Sequence, residues 1–285
     1  MINWQQFGKS FRSWRKRWCY PLISLCVALS LCLSTPLPSK AIDLLPLLFQ
    51  GVQIFQLSNI SDRQEVDLGK QMNQRLQSQE VKIYRNSAIT NYVQDVGRRL
   101  VSYSDRPNIP YTFQVVDDKA VNAFATMGGY IYVNTGLLAV ADNEAELASV
   151  LAHEMGHIGG KHLIKQMRQQ ALASGVATAA GLDRSTAVNL GVQLALNLPR
   201  SRQDEYDADK RGLANLTRAG YAQSAMVSFM QKLQSRNSVP TFLSTHPGAS
   251  DRVKALKRQI AATPSNGSYG LDKASYQSNI RELVR

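Results

Sequence analysis

Leu151-Ala152-His153-Glu154-Met155-Gly156-His157 places two imidazoles and a carboxylate within seven residues. Residues four apart on an α-helix share a face, so His153 and His157 can each turn a ring nitrogen toward a single metal ion. Glu154 projects from the edge of that face, where a carboxylate can take a proton from water as a general base. HExxH on a helix is the pattern by which zinc hydrolases assemble these parts. The flanks ask for that helix. Asp142 is a good N-cap, Glu144 and Glu146 suit the positive end of the dipole, and Lys161, Lys165 and Arg168 suit the negative end. Leu147, Val150, Leu151 and Met155 add an apolar stripe, so a helix is expected from Asn143 to Gln169.

The formal charge of +12 first suggests a nucleic-acid partner, but its distribution argues against one. Lys9, Arg12, Arg15, Lys16, Arg17 and Lys40 supply half of that excess, with no acidic residue among residues 1–41. The basic cluster precedes the apolar run Cys19 to Leu33 and the small-residue stretch Ser34 to Ala41. These are the three regions of a secretory signal, with Ser39-Lys40-Ala41 as cleavage site. No second basic patch with interleaved aromatics follows, so nucleic acid is excluded as a partner. The rival reading is a retained membrane anchor, since Leu44 to Leu57 is also apolar. All three cysteines, Cys19, Cys26 and Cys32, lie in the leader, so the exported chain needs no disulfide and offers no thiolate ligand.

Residues 42–262 read as one catalytic-sized domain and residues 263–285 as a loosely packed tail. Helical spacing is expected over Ser61–Gln77 and Ser87–Val101. Tyr111–Val116 alternates as a strand, and Ala123–Thr126 and Tyr130–Val133 flank Gly128-Gly129 as a hairpin. The strand Gly129–Asn134 should lead by a short turn into the HExxH helix, with an edge of the small sheet beside the metal. Gly129, Tyr130, Ile131, Tyr132 and Asn134 are therefore the candidates to bind an extended peptide by strand addition, while the same stretch reads equally well as an ordinary core hairpin. Leu163–Leu198 is apolar but interrupted by Asp183-Arg184, so it reads as a helical hairpin over the cleft, with Gly175 and Gly181 as flexible points. Helices are also expected over Arg202–Leu233, broken near Gly220, and over Ser250–Ile260. No internal repeat is evident.

Two histidines leave a tetrahedral zinc short of a third protein ligand. His162 is one place off the spacing that would let a third histidine of this helix join, and on a continuing helix it points away from His157. It reads as exposed or as a neighbour of the ligands. Glu205, in Ser201-Arg-Gln-Asp-Glu-Tyr-Asp-Ala-Asp209, is the better candidate. Asp209 lies one turn further on the same face, where it can accept the free N–H of a ligating imidazole. Asp204 and Asp207 are expected to face solvent.

His153-Glu-Met-Gly-His157, Asn122-Ala-Phe-Ala with Gly128-Gly-Tyr-Ile-Tyr-Val-Asn-Thr-Gly136, the SRxxExxAD pattern at Ser201 to Asp209, and Ser244-Thr-His-Pro247 followed by Arg252 occur in this order. Over about Ile60 to Ile260 the chain thereby resembles the M48-type gluzincin metalloendopeptidases, the HtpX-like, Oma-like and BepA-like proteins. The resemblance implies an α+β, mostly helical, zincin-like catalytic domain with a small sheet beside the HExxH helix. It implies one zinc ion per chain, held by His153, His157 and Glu205, with Glu154 as general base. It further implies cleavage of unfolded or misassembled polypeptides in envelope or organelle quality control, in a periplasmic or membrane-associated setting. His246 in the Thr-His-Pro stretch has two active-site readings: a donor to the developing oxyanion, or a fourth ligand that keeps the site latent. Arg202 and Arg252 are weaker candidates for positioning loops or substrate. The alternative from another class is a catalytically silent, zinc-stabilised chaperone or assembly factor using the same groove, against which the intact Glu154 argues.

Overall fold

The computed structural model describes residue 57 and residues 59–173, 182–197, 199–236 and 238–283. The leader, nearly all of the Leu44–Leu57 run, Gly175 and Gly181 lie outside the described residues. Among the described residues no helix is long and apolar enough to cross a membrane.

Helix α1 (Asp62–Arg75) opens on a reciprocal capping box between Ser61 and Gln64, and α2 (Ser87–Val101) on the Asn86 side chain. Three strands follow: β1 (Thr112–Val116), β2 (Ala123–Ala125) and β3 (Tyr130–Asn134). The β2–β3 hairpin is present, and β1 pairs with β3 in parallel, which makes the order β1-β3-β2. Instead of the expected short turn, a further helix α3 (Thr135–Val140) links β3 to the HExxH helix.

That helix is α4 (Glu144–Gly159). Its N-cap is Asn143, whose side chain accepts from the Glu146 amide, while Asp142 pairs instead with Lys232 and Lys273. The helix ends ten residues before the expected Gln169, because Gly160 caps it and Lys161 turns left-handed at φ 52°. A separate helix α5 (His162–Ala173) then begins. Ala145 to Ile158 are all buried, so α4 is a central helix of the core with no solvent-facing stripe.

The expected helical hairpin is completed by α6 (Arg184–Asn197), and α7 (Arg202–Arg218) returns across α4. These two backbones approach closely: a Cβ on Gly156 would lie 2.5 Å from the Ala208 carbonyl oxygen, and one on Gly212 3.0 Å from the Ala152 carbonyl. Gly156 thus lets α7 bring its first turn to the two histidines. Gly156→Ala should cost about 1–3 kcal/mol through overpacking, read as a lower urea midpoint at unchanged slope.

Helix α8 (Ser224–Gln234), the short α9 (Thr241–Thr245) and α10 (Ala249–Ala262) close the far side of α4. The final segment departs from the loose tail expected of it. Pro264 to Gly270 do form loop, but α11 (Lys273–Ile280) buries Tyr276 and Ile280, and the Tyr276 hydroxyl donates to the Leu138 carbonyl at 2.7 Å. Two apolar residues one turn apart suffice to dock a short helix that helix-weak neighbours obscure in the sequence.

Candidate metal centre

His153 and His157 stand one turn apart in the C-terminal half of α4, 3 % exposed each, with their Nε2 atoms 3.1 Å from one another. Glu205 enters from the first turn of α7, which Ser201 caps by accepting the Asp204 amide. Its Oε1 is 3.3 Å from His157 Nε2 and its Oε2 3.5 Å from His153 Nε2. His246, just after α9, points Nδ1 into the same space, 3.1 Å from Glu205 Oε1 and 3.2 Å from His153 Nε2. These four side chains form the metal-competent group among the described residues.

The donor set fits a tetrahedral zinc-like ion. Bonds of 2.0–2.1 Å imply ligand-to-ligand edges of about 3.3 Å, and the separations above run from 3.1 to 3.5 Å. Glu154 supplies a second sign. It is fully buried, and neither carboxylate oxygen has a hydrogen-bond partner among the described residues. His246 Nε2 stands 3.4 Å from Glu154 Oε1 without forming one. A buried carboxylate in that condition costs several kcal/mol unless a donor reaches it, and its place beside the four-donor cluster suits a group that acts on a water there.

One arginine pairs with both carboxylates of α7 beside the group. Arg252, 0 % exposed, donates through Nε and Nη2 to the two oxygens of Asp209 at 2.7 Å each. Its Nη1 pairs with Glu205 Oε2 at 2.5 Å and donates to the His246 carbonyl at 3.1 Å. Asp209 Oδ1 in turn lies 2.9 Å from His153 Nδ1. Burial would raise the Asp209 carboxyl, but the Arg252 charge together with the hydrogen bonds from Arg252 and His153 outweighs it and holds the group below its ordinary value. Burial would likewise depress His153, but hydrogen bonds to Asp209 and Glu205 prevail and push it up to about 9. For His157 burial prevails, and the imidazole is held well below its ordinary value.

Several expectations are corrected here. His162 does not point away: because α4 breaks at Gly160 and Lys161, its ring packs under His157, 4 % exposed, with Nδ1 2.9 Å from His157 Nδ1. Asp204 is buried and paired with Lys165, and Asp207 bonds His162 and Arg211. Arg252 serves Asp209 and Glu205 rather than substrate, whereas Arg202 is exposed. The expected peptide-binding strand is β3, yet it is the middle strand, hydrogen-bonded on both sides. Its Ile131 and Tyr132 are core residues, Tyr132 stacked on Phe124 and donating to Asn73. Gly129 is buried against Pro110, Tyr130 is half-buried, and Asn134 donates to Asp118.

The sheet edge near the site belongs to β2, whose residues Ala123, Phe124 and Ala125 are themselves buried. Asn122 and Thr126 bond across to β3, so the intervening pattern turns the main-chain groups of Ala123 and Ala125 outward. Arg200 already donates to the Ala125 carbonyl at 3.3 Å. This arginine, 6 % exposed, also donates to Gln166 and lines a small cleft with His157, Ala125, Thr126 and Leu163. No sequence pattern marked it, since its setting depends on where the loop before α7 crosses the sheet.

Comparison with known proteins adds a family match. The model of Peptidase family M48 matches residues 87–260, more than half of the chain. The chain is 30 % identical over 255 residues to a putative beta-barrel assembly-enhancing protease of Vibrio cholerae serotype O1, covering 83 % of this chain and 52 % of that protein. It is 31 % identical over 264 residues to the beta-barrel assembly-enhancing protease of Yersinia pestis, covering 80 % and 53 %. With the metalloprotease LoiP of Escherichia coli it shares 28 % identity over 229 residues, covering 76 % and 88 %. The chain thus spans about half the length of the two beta-barrel assembly-enhancing relatives.

Proposed function

This chain belongs to peptidase family M48, and on that premise we propose that it is a zinc-dependent metalloendopeptidase. Its substrates are unfolded or misassembled polypeptides of an envelope compartment, such as the periplasm. The observation that carries the reading is the pairing of a four-donor cluster with a buried, unbonded Glu154 beside it. His153, His157 and Glu205 would hold the ion, which when bound polarises a water and the scissile carbonyl. Glu154 would serve as the general base, taking a proton from the attacking water and returning it to the leaving amine. Asp209 holds the His153 tautomer, and Arg252 holds Asp209 and Glu205 in register.

An extended peptide docks on the outward groups of Ala123 and Ala125, giving main-chain affinity with little demand on sequence. An unfolded chain can present such an extended segment almost anywhere along its length, which supports the unfolded-polypeptide reading. Arg200 must release the Ala125 carbonyl as the peptide arrives.

His246 acts as the latency ligand in this reading, since its Nδ1 takes the fourth corner beside Glu205 and His153. His246→Ala should then raise turnover of an unfolded substrate several-fold. A fall of about 10²-fold or more would assign His246 to the oxyanion instead.

The reading as a whole is tested by casein digestion with the purified chain. Chelation should abolish cleavage and stoichiometric zinc should restore it. Cleavage that survives full metal removal would defeat the proposal.

A further inference from the structure

A ligating imidazole binds well only if its other ring nitrogen is held, ordinarily by a carboxylate or a backbone carbonyl. His153 has Asp209 for this purpose. His157 has neither: its Nδ1 meets the Nδ1 of His162 at 2.9 Å. We infer that His162, backed by Asp207, is a positioning residue that fixes the tautomer and ring orientation of His157 for the metal. This rests on the zinc reading above.

The proton placement follows from the chemistry of the pair. If His157 turns Nε2 to the metal, its Nδ1 carries the proton and donates to His162 Nδ1. His162 is then protonated on Nε2, which donates to Asp207 Oδ2 at 3.1 Å. Asp207 is held in turn by Arg211 Nε at 2.6 Å, while Asp204 Oδ1 stands further from His162 Nε2, at 3.8 Å, and is engaged by Lys165. Every polar atom along this line from α4 to α7 has a partner.

The backbone is shaped for the contact. On an unbroken helix residue 162 would lie about 140° around the axis from His157. The chain instead stops at Gly160 and puts Lys161 in the left-handed region, φ 52°, where a residue with a side chain is strained. A Cβ on Gly160 would fall 2.3 Å from His162 Nε2, so the glycine leaves room for the ring. The strained residue and the side-chain-free residue together swing His162 under His157.

The test is zinc affinity of the full chain, measured by competition with a chromophoric chelator, beside thermal unfolding of the metal-free protein. His162→Phe should weaken zinc binding about 10–100-fold, and Gly160→Ala should weaken it in the same direction by displacing the ring. His162→Gln keeps an acceptor for His157 Nδ1–H and should recover most of the loss, a rescue that a merely space-filling histidine does not predict. The inference is overturned if His162→Phe binds zinc within twofold of the parent, or if its loss is matched by His162→Gln at equal metal-free stability. A parent chain that takes up no zinc would overturn the metal reading itself, a result separable from either of these.

Discussion

Glu154→Gln should lower peptide-bond hydrolysis by about 10²–10⁴-fold, the range for loss of a general base, with zinc content unchanged. The amide matches the carboxylate in size, so the packing around a fully buried side chain on α4 is kept. What disappears is a site that can take a proton from water. Neither oxygen of Glu154 bonds to a metal-ligand side chain, so the replacement leaves the His153, His157 and Glu205 cluster as it stands. A fluorogenic peptide assay beside metal analysis of the same preparation reads both quantities. A variant that cleaves as fast as the parent in a contaminant-free preparation removes Glu154 from the mechanism. A parent that binds zinc and unfolded chains without cleaving them favours the assembly-factor alternative.

The second large effect concerns Arg252. Arg252→Met fills similar space but leaves Asp209 and Glu205 buried without their shared cation. Breaking a buried ion pair from one side costs about 3–5 kcal/mol, so metal-free unfolding should shift by that order in urea. Asp209→Leu introduced beside Arg252→Met should recover part of the loss, since the uncompensated charge rather than the contact carries most of the cost. The dependence on pH has a definite sign. Arg252 holds the Asp209 carboxyl below its unfolded value, so this stabilisation is present above the ordinary carboxylate pKa of about 3.9. It is lost as pH falls through the lower folded value, and the parent should lose its advantage over Arg252→Met in that acid window. A pH-independent difference between the two would show that Asp209 is not the partner that matters.

The parts of the centre that could be read in advance are those governed by helical geometry over one turn. His153 with His157, and Glu205 with Asp209, share faces because four residues nearly complete a turn, and the structure brings these two pairs together. The misplaced parts depend on where the chain turns or which strands pair. The place of His162 follows from periodicity only if α4 continues through Gly160 and Lys161, and a left-handed lysine is invisible to periodicity. The peptide-binding edge was assigned to β3 because its residues run toward the motif. Strand order is set by the distant β1, which joins β3 in parallel and leaves β2 as an edge strand paired on one side only. Arg252 reads as a positioning residue for loops or substrate and Arg200 as an ordinary surface-type residue until their burial beside Asp209 and Ala125 is known. Tyr276 likewise signals nothing by spacing, yet it anchors α11 against Leu138.

The most direct test of the centre is zinc per chain, by mass spectrometry of purified parent, Glu154→Gln and Glu205→Gln proteins dialysed against one fixed concentration of chelator. One zinc is expected in the parent and in Glu154→Gln, and clearly less than one in Glu205→Gln, because one glutamate acts as base and the other as ligand. Equal zinc in all three chains, or a loss in Glu154→Gln that matches the loss in Glu205→Gln, would contradict that assignment.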